Sequence, residues 1–241
     1  AWWMPLLQIP GEEADGRPLY RALISERGLP GSIIVNRQGR RFVNEAHNYN
    51  DISKVFHHFD PVAFDWPNIP AFLIFDDAFR SRYSIATVMP GSPVPSWVVQ
   101  AATLRELAER IGVDGEQLEA TVQAFNEGAR RGVDPEFHRG ESAYDRYYGD
   151  PSVQPNPCLA PLDTPPFYAI RVYAGTIGTK GGLVTDAHAR VLDVRGGVIE
   201  GLYAAGNVAA FWAGRGYPGP GASIGPAMTF AYIAARHAMS A

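Results

Sequence analysis

The sequence has 241 residues, 46% apolar and 19% charged, with a formal net charge of −4. That apolar share excludes a disordered chain, balanced charge without a Lys/Arg run longer than two argues against a nucleic-acid partner, and no apolar stretch nears the ~20 residues that span a bilayer. A single cysteine, Cys158, cannot form an internal disulfide and points to a reducing, cytoplasmic setting. The opening Ala1-Trp2-Trp3-Met4-Pro5-Leu6-Leu7 lacks an initiator Met and is apolar where termini are usually polar. It reads as a chain cut from something longer, with an ordinary buried first strand as the alternative.

Ser32–Val35 is a β-branched strand, Asn36–Arg40 a turn, and Arg41–Asn44 the returning arm of a hairpin. Ala71–Phe75 is a buried strand. Thr103 with Glu106 forms a capping box opening a short helix that Gly112 closes. Asp114 caps a second helix with Leu118, Val122, Phe125 and Ala129 on its apolar face, ended by Gly132. From Asp134 to Pro166 periodicity fails amid seven prolines and two glycines, which predicts a long ordered crossing or a lid. Phe167–Tyr173 is extended. Gly182–Thr185, a turn over Asp186–Arg190 and Val191–Asp193 make a second hairpin. Ile199–Ala204 is a strand, and a helix runs from about Ala227 to Met239. Strands at both ends with helices between predict an α+β chain in which one domain is inserted into pieces of another.

The densest chemical signal is Tyr217-Pro218-Gly219-Pro220-Gly221-Ala222-Ser223-Ile224-Gly225-Pro226. Two prolines fix φ, two glycines permit shapes closed to other residues, and Pro226 suits a first helical turn. Such a loop aims backbone N–H groups at whatever lies before it, a carbonyl oxygen or the polar edge of a cofactor. With the strand end Gly201–Asn207 it can approach a flat ring. A helix N-terminus at the pyrimidine edge of a flavin would stabilise the negative charge of reduction. Gly178-Thr179-Lys180-Gly181-Gly182 is a weaker signal because it lacks P-loop spacing. His57-His58 near Asp60 does not make a metal site, since adjacent side chains diverge. Asp76-Asp77 more plausibly ends a strand than binds a cation. There is no HExxH and no G-x-S-x-G.

The sequence resembles the flavoprotein family of 3-ketosteroid 1-dehydrogenases, relatives of fumarate reductases. The resemblance rests on Asn36–Glu45 with Tyr49, Phe137–Glu141, Gly178–Gly182, Gly201–Asn207 and Tyr217–Phe230. It covers the C-terminal half of such an enzyme, without the G-x-G-x-x-G half that binds the dinucleotide. It implies an FAD-dependent enzyme whose capping or catalytic domain, residues 10–176, is inserted into a Rossmann-like FAD domain represented by residues 1–9 and 177–241. It further implies that Tyr217 and the Gly221 N–H donate to the 3-carbonyl of a ketosteroid, that Tyr49 takes the proton from carbon 2, and that flavin N5 takes the hydride from carbon 1. FAD contacts would come from Gly181, Gly182, Ala205, Gly206, Asn207, Gly221, Ala222, Ser223 and Ile224. The missing half of the same enzyme would be a partner. A related flavoprotein acting on another ring ketone or a carboxylate, and a ligand-binding remnant without turnover, remain as alternatives.

Overall fold

The computed structural model describes residues 1–240. It divides into two compact units, Met4–Gly175 and Ala1–Trp3 with Thr176–Ala241, and the chain passes between them within its first and sixth strands.

The Met4–Gly175 unit is built on β1 (Trp2–Ala14), β2 (Arg17–Ala22), β3 (Ser32–Val35), β4 (Ala71–Asp76), β5 (Val99–Ala101) and β6 (Phe167–Gly178). These form one sheet in the order β2-β1-β6-β4-β3, with β5 also pairing to β6. β3 and β4 are buried at every position, so both faces of the sheet are covered and their apolar runs are unbroken. The two-residue period of a strand sorts these side chains into two cores. Ile33, Val35, Phe72 and Ile74 pack with Leu107 of α3 (Leu104–Ile111) and Leu118, Val122 and Phe125 of α4 (Gly115–Arg131). Ile34, Leu73 and Phe75 pack with Ile52 of α1 (Tyr49–Val55) and Phe79 of α2 (Asp77–Arg82).

The caps of α3 and α4 are local and stand where the sequence predicts them. Thr103 accepts from the Glu106 N–H and Asp114 from the Gln117 N–H, and Gly112 and Gly132 end their helices in the left-handed region. The first predicted hairpin is different. Asn36 does close the turn, its side-chain oxygen accepting from the N–H groups of Gln38 and Arg40. Beyond a single Val35–Arg41 bridge, however, β3 pairs antiparallel with β4, from Ser32–Phe75 to Val35–Phe72. The return arm is lost because Arg41 turns inward to Glu45 and Asp134. Gly39 is obligatory at that turn: φ is +73° and a Cβ would lie 2.8 Å from both Asp114 O and Leu118 N.

Residues 134–166 are an ordered crossing rather than a lid. They hold a short helix, α5 (Ala143–Tyr147), and the buried Arg139, Asp145, Asn156 and Cys158. Asn156 ties the segment together, donating to the carbonyls of Gly132 and Arg139 and accepting from the Cys158 N–H.

In the other unit, β7 (Arg190–Leu192) pairs with β8 (Val198–Tyr203) and also meets its predicted partner, residues 182–185: the Asp186 N–H donates to Arg190 O to close the predicted turn, and the Leu192 N–H donates to Val184 O. The Asp193 carboxylate accepts from the N–H groups of Arg195 and Gly197 and turns the chain straight from β7 into β8. Residues 182–185 keep one bridge to Val191 and gain a parallel bridge, Leu183–Ala209. The last helix, α6 (Ile224–Ser240), begins three residues before the predicted start, because the Gly225 N–H already donates to Gly221 O. Among the described residues no helix is long and apolar enough to cross a membrane.

Candidate cofactor and substrate site

The unit made of residues 1–3 and 176–241 contains a cavity of about 420 Å³, within the range of small-ligand sites. Of the predicted contact residues, Ala205, Gly206, Asn207, Ala222 and Ser223 line it; Gly181, Gly182, Gly221, Ile224 and Tyr217 are not in its wall. Small residues dominate the rest of the lining, with Ala204, Ala209, Ala210 and Ala227, while Trp2, Phe211, Trp212 and Phe230 supply aromatic surface. Gly206 holds φ +70°, and a Cβ there would touch the Ala227 methyl at 3.4 Å.

Two glycines predicted to touch the cofactor differ. A Cβ on Gly181 would meet nothing within 4 Å, so its backbone is open to approach. A Cβ on Gly182 would lie 2.0 Å from Val208 O, because the Leu183 N–H donates to that carbonyl at 2.9 Å. Gly182→Ala is therefore expected to destabilise this unit by about 3 kcal/mol, the upper range of overpacking, while Gly181→Ala leaves thermal unfolding unchanged. Melting curves of the two variants check this contrast.

The loop before α6 has the backbone that its sequence demands, with Gly219 at φ +134° and Gly221 at φ +85°. The first N–H groups of a helix have no carbonyl one turn back. Here the Gly225 N–H donates to Gly221 O, the Ala227 N–H to Ser223 O, and Pro226 has none. Among the described residues no backbone acceptor stands behind the N–H groups of Ser223 and Ile224, and both residues are exposed. An electron-rich ring edge fits such a helix start, and the small-residue cavity wall fits a flat ring system. The residues present therefore suit an FAD.

Tyr217 is half-buried, its ring edge-on to Trp2 at 6.2 Å. Trp2 packs in turn against Phe211 at 4.8 Å, and Lys180 Nζ lies 4.5 Å from the Trp2 ring centre. Trp2 and Lys180 are the residues that sequence reasoning missed here. The aromatic run Phe211-Trp212 and the apolar start were visible, but nothing local connects positions 2, 180 and 217. Asp186, also on the cavity wall, is committed to Arg190. Burial disfavours its charge, but the bonds from the Arg190 side chain and from the N–H groups of Arg190 and His188 prevail and hold it below the usual carboxylate range.

Tyr49 belongs to the Met4–Gly175 unit, as the first residue of α1, and is half-buried. Asn48 caps that helix through the Asp51 N–H. Buried Arg27 steadies the preceding segment by donating to the carbonyls of Glu45 and His47. Tyr144 lies within electrostatic reach of Tyr49. Burial, then Tyr148 and Tyr49, push the Tyr144 hydroxyl up to about 12 against the opposing pull of Arg27, so it stays neutral.

The FAD binding domain family matches residues 1–224. The chain belongs to that family. It is 49% identical over 98% of its length to the 4-oxocyclohexanecarboxylate 2-dehydrogenase of Sinomonas cyclohexanicum, and 49% identical over 98% to a 3-oxosteroid 1-dehydrogenase of Mycobacterium tuberculosis. It spans only 41% and 42% of those two relatives. Among solved structures it is similar, with a TM-score of 0.92 and 46% identity, to the 3-ketosteroid delta1-dehydrogenase of Sterolibacterium denitrificans bound to 1,4-androstadiene-3,17-dione. That match covers 100% of this chain and 43% of the other. The cofactor of the family is FAD, in agreement with the fit of the helix start and cavity.

Proposed function

We propose that this chain is the substrate-activating part of an FAD-dependent enzyme that introduces a double bond beside the carbonyl of a 3-ketosteroid. The observation that carries the reading is the Tyr217–Gly221 loop, which offers a phenol and an open-backbone amide immediately before a helix start at which the N–H groups of Ser223 and Ile224 face no backbone carbonyl. The relatives' activities on cyclic ketones support it.

In this reading residues 10–176 are the catalytic domain, inserted into an FAD domain to which residues 1–9 and 177–241 belong. The two compact units support that division. The backbone at Gly181 and at Ala205–Asn207, with Ala222, Ser223 and Ile224, holds the flavin. Bound FAD supplies the hydride acceptor. The chain's own task is to make carbon 2 acidic and remove its proton. Tyr217 and the Gly221 N–H donate to the 3-carbonyl oxygen and stabilise the enolate charge that develops there. Tyr49 accepts the proton. Only an ionised phenol can take a proton from carbon, so Tyr49 acts as its phenolate. Tyr49→Phe is expected to lower turnover by about a hundredfold or more while 3-ketosteroid binding persists. Stopped-flow rates across neutral to alkaline pH check this, and wild-type rates in the variant remove Tyr49 as the base.

The decisive experiment is anaerobic mixing of the FAD-loaded enzyme with a 3-ketosteroid. Loss of the visible flavin band, with the A-ring alkene as product, is expected. An unchanged band with every ring ketone tried rejects the proposal. A second reading has its own support. The 4-oxocyclohexanecarboxylate enzyme is as similar as the steroid enzyme, and exposed Arg215 stands two residues before Tyr217. If a carboxylated cyclohexanone is the substrate, Arg215→Gln should raise KM for it and leave the steroid unaffected.

A further inference from the structure

Lys180 is 92% removed from solvent, unusual for a lysine. Its Nζ donates to Gly216 O at 2.7 Å and to Arg215 O at 3.1 Å. The ammonium lies 4.5 Å from the ring centre of Trp2 and 5.4 Å from that of Phe211, within the range of cation–π attraction. Its main chain joins the same loop, with Lys180 O accepting from the Phe211 N–H at 3.0 Å. The loop residues are themselves turned back on each other, Gly214 N–H to Phe211 O and Gly216 N–H to Ala213 O. Gly214 and Gly216 bring no side-chain packing to the segment before Tyr217, so these bonds bear on its position.

We infer that Lys180 is a positioning residue for Tyr217: it holds the two carbonyls that precede the phenol and rests on the same Trp2 against which the phenol ring packs. This rests on the proposed role of Tyr217 only for its effect on turnover; the mechanical part stands on the distances alone. Three attachments converge. The side chain fixes residues 215 and 216, the backbone fixes residue 211, and Trp2 joins the ammonium to the ring of Tyr217. A hydrogen bond gains most in catalysis when its donor is already in place before charge develops. A loop rich in glycine loses the most entropy on being fixed, so an anchor at residues 215–216 is where such order is best supplied. Lysine's flexible stem with several donors at its tip suits the capture of two neighbouring carbonyls.

Two measurements separate this inference from the functional reading. The first uses the 241-residue chain and trypsin. The bond after Arg215 carries a carbonyl that Lys180 holds, whereas the bond after exposed Arg195 does not depend on it. Hydrogen bonds to charged groups are worth roughly 1.5–3 kcal/mol. In Lys180→Met, cleavage after Arg215 relative to Arg195 should therefore rise by about tenfold or more, and Lys180→Arg should restore the wild-type ratio. An unchanged ratio in Lys180→Met overturns the inference. The second uses the FAD-loaded enzyme with a bound cross-conjugated 3-ketosteroid and follows its carbonyl stretch by Raman difference spectroscopy. The stretch should lie below its position in water for the wild type, return upward in Tyr217→Phe, return upward in Lys180→Met, and fall again in Lys180→Arg. An unaltered stretch in Tyr217→Phe rejects the functional reading, and the trypsin ratio then decides Lys180 by itself. A stretch lost in Tyr217→Phe yet kept in Lys180→Met overturns the role of Lys180 and leaves that of Tyr217 standing.

Discussion

Tyr217→Phe is expected to lower turnover of the FAD-loaded enzyme by a factor of about a hundred to a thousand, roughly 3–4 kcal/mol of transition-state stabilisation, with flavin content unchanged. The substitution keeps the ring and its packing. The edge-on contact with Trp2 at 6.2 Å is made by the ring itself. The loop's path is set by the left-handed glycines at 219 and 221 and by the flanking prolines. The N–H groups of Ser223 and Ile224 belong to the start of α6. In the proposed role, what the variant removes is one donor to the carbonyl oxygen. If that donor acts mainly in the transition state, kcat falls and KM moves little; a rise in KM with kcat preserved would instead mean that it only binds substrate. Tyr217→Ala should cost more, because it also empties the space beside Trp2. Steady-state kinetics with the visible flavin absorbance measured on the same sample gives all three quantities. Turnover within a few-fold of wild type in Tyr217→Phe removes the phenol from the mechanism.

What the sequence revealed of this molecule follows distance along the chain. Thr103, Asp114, Gly112 and Gly132 satisfy backbone groups within four residues of themselves, and each stands at the predicted helix end. The Tyr217–Gly221 loop is legible for the same reason, since its shape is written in its own prolines and glycines. Pairings that depend on remote residues were not legible. β3 was expected to fold back on residues 41–44, but Arg41 is held by Asp134, ninety-three positions away, and side chains meet β3 instead, Glu45 accepting from the Ile34 N–H and Arg139 donating to Ser32 O, while β4 pairs along the opposite edge. The hairpin over residues 182–193 is local and was legible, its turn closed between Asp186 and Arg190, whereas the further pairing of β7 with β8 was not foreseen. The turn Asp193-Val194-Arg195-Gly196-Gly197 that joins β7 to β8 stands beside the predicted turn at 186–190, and both form. The β1–β2 hairpin around Asp15 and Gly16, both with positive φ, was overlooked because the chain start was read for its apolar character alone. In the candidate site, the Lys180–Trp2–Tyr217 contact joins three segments between which no periodicity runs.

Neutralising Glu45 as Glu45→Gln is expected to cost about 3–5 kcal/mol, the penalty for leaving a buried charge without its partner. Glu45 is fully buried. Its Oε1 accepts from Arg41 Nε at 2.9 Å and from the Ile34 N–H at 3.0 Å, and its Oε2 accepts from Arg41 Nη2 at 2.7 Å and from Arg139 Nη1 at 3.1 Å. Asp134 binds Arg41 with two further bonds at 2.9 and 2.8 Å, and the guanidinium is enclosed by the rings of Phe125 and Phe137. A glutamine amide would aim two donors at guanidinium groups that are themselves donors only. Acid should act in the same direction. Burial opposes the charge of both carboxylates, yet for Glu45 the fields of Arg41 and Arg139, and for Asp134 the bond and field of Arg41, prevail and hold each below its usual range. A depressed folded-state pKa contributes stability above the unfolded value, about 4 for these groups, and that contribution is lost as pH falls through the folded-state values. Urea unfolding should therefore show the wild type weakening steeply below about pH 4, with a shallower slope in Glu45→Gln because part of the loss has already been incurred. Glu119→Gln, which breaks an exposed pair with Arg105, serves as the control and should leave the midpoint in place. Arg41→Met combined with Glu45→Gln should cost less than the two single changes added together, since each leaves the other's charge stranded. Strict additivity would mean that the network is not coupled, and that burial of the aliphatic stems alone holds these side chains in the core.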